Sequence, residues 1–87
     1  MRTHITEEQI TDALDTLRIH TDTILKSKGR GAFASSHEVL GVLTEEMREL
    51  EAEVQAGYLH RLRQELLDVA QVALFGVACI DADALEW

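Results

Sequence analysis

Apolar residues recur at three- and four-residue intervals along three stretches of the chain, the spacing that marks one face of an α-helix. In the first, from Thr6 to Lys28, Ile10, Leu14, Leu17 and Ile24 form a stripe, and Thr6 with Gln9 has the spacing of a capping box. The second, 36–56, carries Val39, Leu43, Met47, Leu50 and Val54. Ser35 and Glu38 suit its start, and Gly57 suits its stop. The third, 58–80, opens polar and turns apolar in nearly every direction from Leu66 to Ile80. "KGRGAFASS" separates the first two, its glycines supplying a permissive backbone. "DADALEW" is a short C-terminal tail with room only to begin a fourth helix. The pattern predicts an all-α chain forming one domain over 1–87, with helices at about 6–28, 36–56 and 58–80.

A helix that is apolar all round must be buried all round. Two companions in an 87-residue chain cannot enclose it. The expectation is therefore an antiparallel helical bundle completed by oligomerisation, as a homodimer or homotetramer. A membrane span is not expected, because Asp68 and Gln71 interrupt the apolar run, which falls short of the roughly 20 residues required.

Composition narrows the partners. Sixteen acidic residues against eight Lys and Arg give a net charge of −8, a surface that repels phosphate and argues against nucleic acid. A phosphate ligand would need a divalent cation between it and the protein. The one cysteine, Cys79, lies in the apolar helix and has no partner for an internal disulfide. With no apolar leader in "MRTHITEEQI", a cytoplasmic protein is expected.

The acidic residues themselves carry the most specific signal. At 100° per residue, Glu46, Glu49 and Glu53 share a face that borders the apolar stripe of the second helix, with Glu45 on the more exposed flank. Glu65 and Asp68 are i,i+3 neighbours on the third. In a hairpin centred near Gly57, position 49 falls across from 65, and 46 from 68. Four carboxylates, Glu46, Glu49, Glu65 and Asp68, would then converge. Two like charges at about 4 Å repel by about 4 kcal/mol at an effective dielectric near 20, so convergence calls for protonation or a cation. An all-oxygen set without His or Cys suits Mg²⁺ or Mn²⁺. "EEMRELEAE" taken alone fits a solvated helix face equally well. Asp68 at the head of an apolar run does not.

Glu45-Glu46-x-x-Glu49, followed after 15 residues by Glu65-x-x-Asp68, resembles the EExxE…ExxD signature of the MazG-like all-α nucleoside triphosphate pyrophosphohydrolases. The likeness covers roughly residues 6–80. It implies a bundle built from two or more chains and Mg²⁺-dependent cleavage of a nucleoside triphosphate between the α- and β-phosphates, giving a monophosphate and pyrophosphate. It implies Glu46, Glu49, Glu65 and Asp68 as metal ligands, and Glu45 as the group that orients or deprotonates the attacking water. Substrate contacts are sought in Lys28, Arg30 and Phe33: the first two reach for phosphate, and the ring stacks on a base. Each has an ordinary alternative, since cations suit a helix C-terminus and a loop Phe can plug a bundle end. The chain departs from the family in having only Gln71 as a polar side chain between Asp68 and Ile80. An alternative function is a non-catalytic helical oligomer that binds a nucleotide or protein partner. A di-metal oxidase bundle is disfavoured by the lack of Glu-x-x-His pairs.

Overall fold

A computed structural model describes all residues, Met1–Trp87, and contains three helices: α1 (Glu7–Lys28), α2 (Ser36–Ala56) and α3 (Leu59–Asp81). The bounds lie within a residue or so of those the periodicity predicts. The chain divides into two compact units, Met1–Arg30 and Gly31–Trp87. No helix is long and apolar enough to cross a membrane.

The first unit is α1 with its flanks. Thr6 Oγ1 accepts from the Gln9 amide at 3.1 Å while Gln9 Oε1 accepts from the Thr6 amide at 2.9 Å, so two backbone donors at the helix start each find a side-chain acceptor. Glu7 and Glu8 sit at the positive end of the helix dipole, Lys26 and Lys28 at the negative end. Gly29 leaves the helix at φ 89°, a value that disfavours a side chain. Ile10 and Leu14 of the predicted stripe are exposed, whereas Leu17 and Ile24 are half-buried.

The second unit is a hairpin of α2 and α3. Gly57, left-handed at φ 81° and ψ 20°, ends α2, and its amide donates to the Glu53 carbonyl. Only Gly57 and Tyr58 separate the helices, so α3 returns antiparallel along α2. Positions equidistant from Gly57 therefore meet, Glu53 facing Arg61 and Glu49 facing Glu65, and further out, one residue off that symmetry, Val39 packs at Gly76.

The seam alternates spacings of three and four. Val39, Leu43, Glu46, Leu50 and Glu53 supply it from α2, all half-buried. From α3 come Leu62, Glu65 and Val69, half-buried, then Val72, Gly76 and Cys79, buried. Met47 and Val54, which the periodicity assigns to the core stripe, are instead 49% and 60% exposed. Two apolar lines run side by side on α2, and the helix is rotated so that Glu46 and Glu53 turn inward with Leu43 and Leu50.

The ends of this hairpin are tied by backbone bonds. After α3 the Ala84 amide donates to the Cys79 carbonyl and the Asp83 amide to the Ile80 carbonyl, with Asp83 left-handed at φ 55°. This is the Schellman arrangement with aspartate in the place usually held by glycine. The tail does not start a fourth helix. It runs back beside the start of α2, where the Ser36 amide donates to the Glu86 carbonyl at 2.9 Å and the Glu86 amide to the Ala34 carbonyl at 3.2 Å. Ser36 Oγ donates to the Trp87 oxygen at 2.7 Å. Ser35 caps α2 by accepting from the Glu38 amide, while the Glu38 carboxylate accepts from Ala34 rather than from Ser35.

Candidate metal centre

Glu46 and Glu49 come from successive turns of α2 and Glu65 from the facing turn of α3. One carboxylate oxygen from each lies within 4.8 Å of the others. Any two of them, if ionised, repel by about 3–4 kcal/mol at an effective dielectric near 20. Burial pushes the Glu65 carboxyl up from the ordinary 4.5 to about 7, reinforced by the charges of Asp68, Glu49 and Glu46 in that order. A hydrogen bond between Glu65 and Glu49, the protonated Glu65 donating, acts in the same direction. Glu65 Oε2 is shut off from solvent without a hydrogen-bond partner, an expensive state for a carboxyl oxygen.

Of the four acids expected to converge, the structure therefore brings three into one ligand-sized group. Asp68, half-buried one turn further along α3, is near enough to raise Glu65 but stands outside that group. Glu45 is exposed beside Glu46 on α2. Lys28 and Arg30 belong to the N-terminal unit and are exposed at the end of α1. Phe33 is half-buried, its ring edge-on to Phe75 of α3 with centroids 5.4 Å apart at 80°. That is the packing role open to a loop phenylalanine.

One acidic group that the sequence places on the face bordering the apolar stripe finds a partner the sequence reading did not name. Glu53, a further turn along α2, lies half-buried at the seam, where Arg61 donates to Oε1 at 2.8 Å and Oε2 is sequestered without a hydrogen-bond partner. Arg61 also lies over the Tyr58 ring, 5.6 Å from its centroid. The clue was the spacing, because Glu53 and Arg61 stand equally far from Gly57 and must meet in a tight hairpin.

The donor set fits a hard divalent cation in two respects. It is all carboxylate, and it leaves a sequestered oxygen on Glu65 that a metal would satisfy. No family model, curated protein or solved structure matches this chain.

Proposed function

We propose that the chain is a Mg²⁺-dependent nucleotide pyrophosphohydrolase of the MazG-like kind, with Mn²⁺ an acceptable substitute, acting in the cytoplasm. The substrate is a nucleoside triphosphate and the products are a nucleoside monophosphate and pyrophosphate. The observation that carries this is the meeting of Glu46, Glu49 and Glu65 within 4.8 Å, with Asp68 alongside, at the seam of the α2–α3 hairpin.

Glu46, Glu49 and Glu65 would hold the ion, with Asp68, half-buried one turn on from Glu65, as the proposed fourth ligand. A bound divalent ion supplies charge neutralisation of the triphosphate and acidifies a water molecule. Glu45, exposed on the flank of the cluster, takes the proton of the attacking water. The water oxygen adds to the α-phosphorus, and the bond to the bridging oxygen of the β-phosphate breaks. The leaving group is pyrophosphate. Lys28 and Arg30 remain the proposed contacts to phosphate, and Phe33 would stack on a base only by leaving Phe75.

A second reading has the same fold as a non-catalytic assembly that binds nucleotide or a protein partner. What favours it is the Phe33 ring, which is engaged with Phe75. Incubating purified protein with Mg²⁺ and a panel of nucleoside triphosphates separates the two. Monophosphate and pyrophosphate in equal amounts are expected. Release of orthophosphate without pyrophosphate would overturn the proposed bond cleavage, and binding without product over hours would establish the non-catalytic form.

A further inference from the structure

The unit Gly31–Trp87 has no lysine and three arginines, and the helix wheel sorts them. With Glu46 and Glu65 as the inward positions of α2 and α3, Arg48 and Arg63 lie about 160° away, on the outer surfaces. Arg61 lies only about 40° from Glu65, one turn nearer the joint. Asp68 stands about 60° from Glu65 on that same side of α3. Because the helices run antiparallel, Glu49 turns to the same side of the seam from α2. Arg61 is thus the arginine that shares a face with the acidic cluster.

How it is held is unusual for a pair whose only task is neutralisation. Such a pair is best served by the fork-to-fork geometry, two parallel N–H bonds onto both carboxylate oxygens. Here one terminal nitrogen donates to Glu53 Oε1 at 2.8 Å, and Glu53 Oε2 is shut off from solvent with no hydrogen bond. The other guanidinium donors therefore do not go to Glu53. The Tyr58 ring supports the guanidinium from below, 5.6 Å from its centroid. The Glu53 side chain is 14% exposed and that of Arg61 55%, so a sheltered anchor fixes a head group that faces water.

We propose that Arg61 binds the phosphate chain of the substrate, its donors not used by Glu53 bonding to phosphate oxygens. The proposal rests on the ion-binding reading of Glu46, Glu49 and Glu65. Ligand chemistry follows from the face itself. An anion approaching these acids needs the ion, and one that also engages Arg61 needs oxygens for both. A simple carboxylate has too few, whereas a polyphosphate has several, and a planar guanidinium matches two of them at once. Glu53 and Tyr58 act through Arg61 as positioning residues, holding it in place before the ligand arrives.

Inorganic pyrophosphate, titrated calorimetrically into the full chain with saturating Mg²⁺, is the probe. Wild type is expected to bind it. Arg61→Gln should weaken that binding by at least about tenfold while Mg²⁺ alone binds within about twofold of wild type. Arg63→Gln, on the outer surface, should change neither. Circular dichroism accompanies each variant. Should Arg61→Gln lose helicity, the double variant Glu53→Gln/Arg61→Gln, which leaves no stranded charge, is read in its place. A wild type that takes up no pyrophosphate with Mg²⁺ overturns the proposal. So does a variant that binds pyrophosphate as wild type does, or one that loses Mg²⁺ and pyrophosphate together, since Arg61 then only shapes the acidic cluster. The pyrophosphohydrolase assignment fails separately: a chain that binds pyrophosphate through Arg61 yet releases no product from any triphosphate keeps this contact and loses that activity.

Discussion

The two halves of the α2–α3 seam follow one spacing rule and obey different chemistry. Far from the turn, Val39, Val72, Gly76 and Cys79 make a close apolar contact, tight enough that a methyl group on Gly76 would rest 3.6 Å from Val39. Nearer the turn, Glu46, Glu53 and Glu65 take inward positions among Leu50, Leu62 and Val69. A helix pair selected for stability alone would put leucine there, because inward carboxylates cost several kcal/mol unless they are compensated. Glu53 has compensation from Arg61. Around Glu65 the neighbours are acids instead, and Asp68, Glu49 and Glu46 all raise its pKa. One half holds the hairpin together, and the other gives up part of that stability to an acidic cluster.

The sharpest way to break the comparison is to neutralise the acidic half. Glu49→Ala or Asp68→Ala should lower pyrophosphate release at least about 10³-fold, the scale of several kcal/mol of transition-state stabilisation. Helical circular dichroism should be retained, because these side chains do not form the apolar contact. Residual turnover near wild type would remove them from the chemistry.

Adding the ion should convert the strained half into a stabilised one. At a hundredfold excess over its dissociation constant, Mg²⁺ contributes about 2.7 kcal/mol, or on the order of 10 °C or more in Tm for a chain this size. Chelation should reverse the gain, and Glu65→Gln should abolish it while leaving the metal-free protein at least as stable as wild type. Differential scanning calorimetry reads all three.

Without metal, protons take the ion's place. Glu65 keeps its proton in the folded chain up to about pH 7, whereas the unfolded chain releases it near 4.5. The native state therefore binds more protons across that interval, and stability falls as pH rises through it. Urea midpoints measured in chelator at pH 5.5 and pH 8 should show the lower pH more stable, and Glu65→Gln should flatten the difference. An unchanged slope in that variant would assign the effect to other groups.

The smallest effect belongs to the compensated acid. Arg61→Ala strands a half-buried Glu53 and should cost about 1–2 kcal/mol. Asp22→Ala, which opens the exposed 3.7 Å pair with Arg18 in α1, should cost no more than about 0.5 kcal/mol. Equal costs would mean that the seam gives Glu53 no special environment.

Much of this hairpin could be read from the residues, and the exceptions have a common cause. The helices, the Thr6–Gln9 box and the meeting of 49 with 65 follow from local spacing and a tight turn. The rotation of α2 does not. Leu43 and Leu50 adjoin both Glu46 and Met47 on the helix wheel, so periodicity bounds the inward direction without fixing it. Contact with α3 decides it and leaves Met47 and Val54 outside. Nor is the docking of Glu86 beside Ala34 and Ser36 visible in a pattern, since it joins residues about fifty positions apart through backbone groups that every residue has. Asp68 illustrates a finer limit: a shared helix face placed it near Glu65 but could not say which acids would come within ligand distance.

The two-residue joint at Gly57 and Tyr58 constrains how this sequence can drift. A single insertion there would wind α3 by about 100° and slide it about 1.5 Å, scattering Glu65 away from Glu46 and Glu49 while sparing every helix. Surface loops usually tolerate such length changes. This one should be as intolerant of them as an active-site residue is of substitution, although neither of its residues belongs to the acidic cluster.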